Sequence, residues 1–202
     1  MKKLISFSTI LAGGMLLLGA CHPTSSNAPE VSLEKMSGFP SEDSCFLKGV
    51  SALYAGTLDG QLVMAGGCNF PHVPVVDGGK KVFYDGIYMA PLSEGTDLQW
   101  EMVGLLPEAS AYGVTIPTEK GLVCIGGNTA SRSLSDVYLL SLKEGKADIC
   151  SLPSLPVTID NMAGALVGNT IYIVGGNVNG VPSSAVYSLN LDKEGESWKE
   201  EV

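Results

Sequence analysis

The sequence predicts an all-β protein built from three copies of one four-stranded antiparallel sheet. Three apolar runs of four residues each end in a glycine pair, at Gly66-Gly67, Gly126-Gly127 and Gly175-Gly176. A tyrosine follows each pair, and a tryptophan or an apolar residue stands 11 or 12 residues beyond each tyrosine. Because these features recur in the same order and phase, they indicate internal repeats.

The apolar runs are short and are bounded by turn signals, which is typical of strands and not of helices. The tyrosines are Tyr88, Tyr138 and Tyr187, and the residues beyond them are Trp100, Ile149 and Trp198. A glycine pair at the end of a strand tolerates positive φ and lets a neighbouring strand approach closely. A single four-stranded sheet cannot bury both of its faces, so we expect the copies to stack around an axis as blades of a β-propeller. The alternative is a β-sandwich with fortuitous glycine pairs.

The repeat spacing predicts the extent of each blade as residues 45–108, 109–158 and 159–202. Tyrosine follows the first glycine of the pair by 12 residues in the second and third copies, but by 22 in the first copy. We therefore expect a long inserted loop, residues 69–82, in the first blade. Propellers close with about four to eight blades, so three blades indicate a truncated or split product. Its ring would be completed by a missing half or by self-association.

The N-terminal residues predict export. Lys2 and Lys3 precede an apolar run that ends in Leu18-Gly19-Ala20-Cys21, which is typical of a signal peptide over residues 1–20 followed by a lipidated Cys21. The apolar run is shorter than the roughly 20 residues that span a bilayer. Residues 21–44 are rich in serine, other polar residues and proline, so we expect a flexible tether. The predicted location is the cell envelope, on the periplasmic side of the outer membrane.

The composition restricts the partners. A formal net charge of −9 disfavours nucleic acid and anionic membrane surfaces, so contact with a membrane is expected only through the lipid. His22 and His72 are the two histidines and no CxxC motif occurs, so we expect no metal and no cofactor.

Four cysteines remain beyond Cys21: Cys45, Cys68, Cys124 and Cys150. In an oxidising compartment they could form two disulfides with three connectivities, among which the sequence does not choose. Cys124 lies inside an apolar run, where a buried thiol is favoured.

Several segments resemble a known family more closely than the repeat alone requires. They are Gly49-Val50-Ser51-Ala52, Val63-Met64-Ala65-Gly66-Gly67-Cys68-Asn69-Phe70-Pro71, Gly78-Gly79-Lys80-Lys81-Val82-Phe83-Tyr84-Asp85, Ala111-Tyr112-Gly113-Val114 and Ile125-Gly126-Gly127-Asn128. The repeat has the kelch pattern, and these segments resemble the cyclically permuted branch of the sialic acid mutarotase (N-acetylneuraminate epimerase) family. The resemblance implies a six-bladed kelch propeller that interconverts the anomers of N-acetylneuraminate outside the inner membrane. It also implies a catalytic carboxylate and arginine in blades that this chain lacks, so no catalytic residue is assigned.

Candidate sugar-binding residues come from the loops beyond the glycine pairs. Arg132 is the single arginine, and arginine pairs with carboxylates in a bidentate manner; it could equally be a solvated loop cation. Asn69, Asn128 and Asn177 follow the three glycine pairs at comparable places and could bind sugar hydroxyls, or could instead stabilise turns. Phe70 could stack on a sugar face.

The remaining titratable residues are weaker candidates. His72 is expected to be an ordinary loop histidine. Asp85, Asp136 and Asp160 are the acids nearest to repeat positions, and we expect Asp85 and Asp136 to accept backbone hydrogen bonds at the starts of strands.

Two functions remain open at this point. The first is an isomerase of the sialic acid mutarotase type, of which this chain forms half. The second is a non-catalytic kelch module that binds protein or glycan at the cell envelope, since one fold serves many functions.

Overall fold

The computed structural model describes residues 33, 44–92, 97–193 and 195–201. The predicted signal peptide, Cys21 and most of the predicted tether lie outside these residues. All described strands belong to one compact unit, Glu34–Val202. Within the described residues, no helix has the length and apolar character needed to cross a membrane.

The described chain is almost entirely strands and turns. Its first part forms β1 (Tyr54–Leu58), β2 (Gln61–Ala65), β3 (Cys68–Asn69), β4 (Val82–Phe83), β5 (Gly86–Pro91) and β6 (Glu101–Leu105). Its middle part forms β7 (Val114–Thr118), β8 (Gly121–Ile125), β9 (Val137–Lys143) and β10 (Lys146–Ser151). Its last part forms β11 (Ile159–Asp160), β12 (Ala163–Val167), β13 (Thr170–Val174), β14 (Asn177–Val178), β15 (Val181–Pro182), β16 (Val186–Asn190) and β17 (Lys199–Glu201). Two short 3₁₀ turns, Phe46–Lys48 and Val75–Asp77, lie in the first part.

Three four-stranded antiparallel sheets contain most of these strands, as the repeats predict. Blade 1 has the order β1-β2-β5-β6, blade 2 the order β7-β8-β9-β10, and blade 3 the order β12-β13-β16-β17. The two small sheets, β3-β4 and β11-β14-β15, lie next to the glycine pairs. The kelch-type propeller fold class is therefore confirmed. The exact limits of each predicted blade stay a prediction.

The strand register shows that the repeats are structurally equivalent. The phased tyrosines Tyr88, Tyr138 and Tyr187 lie opposite Met64, Cys124 and Ile173, at the same distance before the glycine pair in each blade. On the other side the same tyrosines lie opposite Met102, Ser151 and Glu200. Each of these residues stands two positions after Trp100, Ile149 or Trp198, so Ile149 does replace tryptophan in blade 2.

The blades stack face to face, with their first strands side by side. Strand β1 contacts β7, and β7 contacts β12. Because successive side chains of a strand point to opposite faces, strand β8 of blade 2 is buried along its whole length. One core lies between blades 1 and 2 and includes Tyr54, Val63, Ile87, Leu122, Cys124 and Leu140. The other lies between blades 2 and 3 and includes Ile116, Val123, Ile125, Ile171, Ile173, Tyr187 and Trp198.

The glycine pairs are needed where one blade meets the next. Gly66 and Gly126 have φ values of 65° and 55°, and a Cβ there would lie 2.5 Å from the carbonyl oxygens of Ser110 and Ile159. The next glycines, Gly67 and Gly127, donate their N–H groups to the same two carbonyls. The pair therefore joins consecutive blades through the backbone.

Blade 3 differs in the face that points away from blade 2. A Cβ on Gly175 would have its nearest neighbour, the carbonyl oxygen of Ser183, at 3.5 Å. Val167 and Val174 on this blade are exposed, whereas strand β8 of blade 2 is buried. Within the described part of the chain, the face of blade 3 that points away from blade 2 thus exposes apolar side chains.

Candidate functional site

The two small sheets and the connections between blades lie at one end of the stacked blades, beyond the glycine pairs. We call this end the mouth, and define it as residues 50–53, 69–83, 106–113, 128–136, 152–162 and 176–185. The β-turns around Gly60, Gly121 and Gly168 lie at the opposite ends of the same strands. All of the sugar-binding residues proposed from the sequence belong to the mouth.

Three equivalent residues with strained backbones connect the blades at the mouth. Ala52, Tyr112 and Asn161 precede the first strands of the three blades and have φ values of 57°, 64° and 56°. Tyr112 N–H donates to the carbonyl of Ala52 at 2.9 Å, and Asn161 N–H donates to the carbonyl of Tyr112 at 2.8 Å. Positive φ costs a side-chain-bearing residue about 1–2 kcal/mol. The fold accepts this cost at all three positions, where the backbone hydrogen bonds join neighbouring blades.

At the junction of blades 2 and 3, the mouth contains a buried carboxylate. Asp160 is 5% exposed. Its Oδ1 accepts hydrogen bonds from Asn161 Nδ2 at 2.6 Å and Asn177 Nδ2 at 2.8 Å, and its Oδ2 accepts one from Ser133 Oγ at 2.9 Å. Burial raises the pKa of this carboxyl, but the hydrogen bonds from Asn177, Asn161 and Ser133 outweigh burial and lower its pKa overall. Asp160 is therefore an ionised, weakly basic group held by neutral donors.

At the junction of blades 1 and 2, the mouth contains a cation among aromatic rings. Lys81 Nζ lies 4.5 Å from the ring centroid of Tyr112, 5.6 Å from that of Phe70 and 6.0 Å from that of Phe83. It also donates a hydrogen bond to Tyr112 Oη at 2.6 Å. The predicted long loop of blade 1 thus reaches the first turn of blade 2.

The predicted arginine is neutralised by neighbouring acids. Arg132 Nη2 lies 2.5 Å from Glu108 Oε2, and Nη1 lies 3.7 Å from Asp136 Oδ2. These three residues line a groove of about 310 Å³ between blades 1 and 2. The carboxylate of Asp136 therefore forms an ion pair with Arg132. The sequence had instead predicted that Asp136 accepts backbone hydrogen bonds. Asp85 is exposed, and its backbone carbonyl accepts the N–H of Leu106 at 2.7 Å.

The three predicted amides separate into two environments. Asn128 and Asn177 occupy the same ladder position in blades 2 and 3. Asn177 Nδ2 donates to Asp160 Oδ1 at 2.8 Å, and the amide of Asn128 contributes to the lowered pKa of Asp160. The equivalent position in blade 1 is Cys68, which pairs with Ser51. The prediction that Asn69 stands at a comparable place was wrong by one residue.

Asn69 instead anchors the inserted loop. Its Nδ2 donates to the carbonyls of Cys45 and Gly49, both at 2.8 Å, and its Oδ1 accepts from Tyr84 Oη at 2.8 Å. The amide therefore stabilises the segment that carries Phe70 and Lys81.

The cysteines do not form the two disulfides that the sequence allows, because Cys68, Cys124 and Cys150 are thiols. Cys124 is fully buried, and burial raises its thiol pKa to about 12, as expected for an inert core thiol. Cys45 Sγ lies 3.9 Å from Nε2 of the exposed His72. Among the residues that the structure describes, no group of three or more His, Cys, Asp or Glu side chains could hold a metal ion.

Sequence reasoning missed Lys81 and Tyr112 as a pair and undervalued Asp160. A signal for Asp160 was present, because the equivalent positions in blades 1 and 2 are the small residues Ser51 and Ala111. A charged residue at a position that is otherwise small departs from the repeat. No comparable signal links Lys81 to Tyr112, because their contact depends on the path of the inserted loop.

The curated proteins to which this chain is similar in sequence include several N-acetylneuraminate epimerases. No protein-family model matches the chain. The N-acetylneuraminate epimerase of Vibrio vulnificus (strain YJ016) is 34% identical over 107 residues, which are 50% of this chain and 28% of that protein. N-acetylneuraminate epimerase 1 of Escherichia coli O6:H1 (strain CFT073) is 34% identical over 107 residues, which are 50% of this chain and 29% of that protein.

The N-acetylneuraminate epimerase of Vibrio cholerae serotype O1 is 32% identical over 99 residues, covering 46% of this chain and 26% of that protein. A solved structure of YjhT is 28% identical, with a TM-score of 0.44, and the match covers 50% of this chain and 31% of that chain. The matched segment thus spans less than a third of the length of each curated relative. Across half of its length, this chain is related in sequence to the N-acetylneuraminate epimerases, the family that its residues resemble.

Proposed function

We propose that this chain forms three blades of a sialic acid mutarotase-like protein whose mouth binds N-acetylneuraminate. The observation that carries the proposal is the identity of 34% to N-acetylneuraminate epimerases over 107 residues. The mouth adds chemical support, because it contains a cation, aromatic faces and hydrogen-bonding groups, which together suit an acidic sugar.

The reaction needs groups beyond those at the mouth. Exchange of the anomers requires removal of the proton from the anomeric hydroxyl and delivery of a proton to the ring oxygen. Asp160 is the buried carboxylate of the described mouth, and its two oxygens already accept three hydrogen bonds. Its lowered pKa also makes it a poor base. We propose that the acid–base pair comes from further blades, which would cover the open face of blade 3.

Anomer exchange is the direct test of the proposed reaction. N-acetylneuraminate released by a sialidase in the NMR tube is followed as its anomers equilibrate, with this chain and with a six-bladed version that continues it. We expect the six-bladed version to accelerate exchange and the three-bladed chain to bind the sugar without matching that rate. Exchange at the uncatalysed rate with six blades would show that the isomerase proposal is wrong.

One observation favours the second candidate, a non-catalytic kelch module that binds protein or glycan. The tip of the inserted loop exposes the apolar residues Val73, Val75 and Val76, a surface that suits a protein partner. This candidate predicts binding of a partner with no effect of any version on anomer exchange.

We also propose that the protein is an exported lipoprotein anchored through Cys21, on the periplasmic side of the outer membrane. The support is the charged and apolar N-terminus that ends in Leu18-Gly19-Ala20-Cys21. Radiolabelled palmitate should label the protein in bacteria, and Cys21→Ser should abolish the label. Equal labelling of the variant would contradict the anchor.

A further inference from the structure

The cations at and near the mouth differ in whether a carboxylate neutralises them. Arg132 has two carboxylate partners, Glu108 and Asp136. Lys48 lies just outside the mouth, and its Nζ donates to the carbonyl of Pro71 in the inserted loop. Within the described part of the chain, none of the salt bridges involves Lys81. Lys80, in the same loop, is exposed to solvent. Lys81 differs because it is partly buried and makes no hydrogen bond to a carboxylate or backbone carbonyl of the described residues.

The ammonium of Lys81 has N–H donors that no described residue accepts. An ammonium has three N–H donors, and the described residues supply one acceptor, Tyr112 Oη at 2.6 Å. The rings of Tyr112, Phe70 and Phe83 stabilise the positive charge through their faces. They do not neutralise it or accept strong hydrogen bonds. A partly buried cation in this state favours an anion that brings oxygen acceptors.

The backbone places this cation where the blades meet. Tyr112 is the middle member of the hydrogen-bonded series Ala52, Tyr112 and Asn161. Its ring fixes the end of the Lys81 side chain at the junction of blades 1 and 2. Phe70 lies beside the same ammonium and offers an apolar face to a sugar ring or an N-acetyl methyl group. A cation next to an aromatic face suits a sugar that carries its own carboxylate.

We propose that Lys81, held by Tyr112 and Phe70, binds the carboxylate of an acidic sugar and sets the preference of the mouth for acidic over neutral sugars. This assignment rests on the proposed function and adds a residue that determines specificity. It predicts that affinity for the acid falls as salt is raised, because part of the attraction is between charges near the surface.

The test compares N-acetylneuraminate with its uncharged methyl ester in NMR titrations of the full chain. Lys81→Met keeps most of the apolar stem and removes the charge. The matched control is Lys80→Met, because Lys80 is the adjacent lysine and is exposed. We expect the wild type and Lys80→Met to bind the acid about tenfold more tightly than the ester, as for a charge-assisted hydrogen bond. We expect Lys81→Met to bind both equally, at the affinity of the wild type for the ester.

Lys81→Arg separates charge from packing, since it restores the cation. If Lys81→Met does not fold, Lys81→Arg and Tyr112→Phe are compared instead, and both should keep a preference for the acid that high salt reduces. A wild-type preference for the acid that persists in Lys81→Met, or equal losses of acid and ester binding in that variant, would overturn the assignment and leave the proposed function standing. Absence of any sugar binding by the wild type would overturn both.

Discussion

The two junctions of the mouth share one backbone arrangement but use charge in opposite ways. Between blades 2 and 3, Asp160 is buried and its carboxylate accepts three hydrogen bonds from neighbouring side chains. Between blades 1 and 2, Lys81 is partly buried and has one hydrogen bond, to Tyr112. A charge whose hydrogen-bonding capacity is filled by the protein stabilises the fold. A charged group with unused hydrogen-bond donors, such as Lys81, is available to bind a ligand.

The inserted loop is the source of this difference. Blades 2 and 3 have a short connection after their glycine pairs, so Asn128 and Asn177 turn toward Asp160. In blade 1 the equivalent position is Cys68, and the longer hairpin β3-β4 extends to Tyr112. The repeat thus provides the junction, and departures from the repeat provide the chemistry.

The largest expected effect tests what the junctions share. Gly66→Ala and Gly126→Ala should each destabilise the fold by about 4 kcal/mol, because each new methyl group would meet a backbone carbonyl and each residue has positive φ. Gly175→Ala should cost about 1–2 kcal/mol, from positive φ alone. Urea unfolding of the three variants measures the difference. Equal costs would mean that the face of blade 3 is covered like the others.

The next effect tests the buried charge. Asp160→Ala should lower the free energy of unfolding by about 3 kcal/mol, because it removes the charged acceptor of three part-buried hydrogen bonds from a side chain that is itself buried. The control Asp85→Ala should change it by less than about 0.5 kcal/mol, since Asp85 is exposed. Similar losses in the two variants would contradict a specific role for Asp160.

A smaller effect is expected in how the free energy of unfolding depends on pH. The pKa of Asp160 is lower in the folded protein than its ordinary value of 3.8, so the unfolded chain binds this proton first as the pH falls. The stability from Asp160 is therefore present above about pH 4 and is lost as the pH falls through the folded pKa. Urea unfolding across this range should show the loss in the wild type and a reduced loss in Asp160→Asn. Parallel curves for the two proteins would show that another acid is responsible.

The smallest effect is expected at the other junction. Lys81→Met should change the free energy of unfolding by about 0.5–1 kcal/mol, the usual size of a cation–π contact near the surface. A loss as large as that of Asp160→Ala, measured under the same conditions, would mean that both charges are structural, and the contrast between the junctions would disappear.

The sequence was sufficient for the blades because their pattern is periodic. Glycine pairs, tyrosines and Trp100, Ile149 and Trp198 mark the strands, and the register confirms their equivalence. The mouth was harder to predict because its contacts join residues from different blades. Lys81 meets Tyr112 across 31 residues, and Ser133 meets Asp160 across 27.

Arg132, the cation that the sequence predicted for the mouth, was also hard to interpret because one of its contacts joins different blades. Arg132 was a reasonable candidate from its place in a loop after a glycine pair. Its acids, Glu108 and Asp136, come from the connection between blades 1 and 2 and from the position before β9. Only the stacking of the blades brings Glu108 to the arginine, so the balance of charge could not be read from the repeat.

We propose that the sugar binds at the mouth and not at the opposite end of the blades. Backbone amide NMR spectra of the ¹⁵N-labelled chain, recorded as N-acetylneuraminate is added, test it most directly. We predict that the signals of Lys81, Tyr112 and Asn161 shift in proportion to occupancy while those of Gly60, Gly121 and Gly168 stay in place. Shifts centred on those three glycines, or no shifts at all, would contradict the claim.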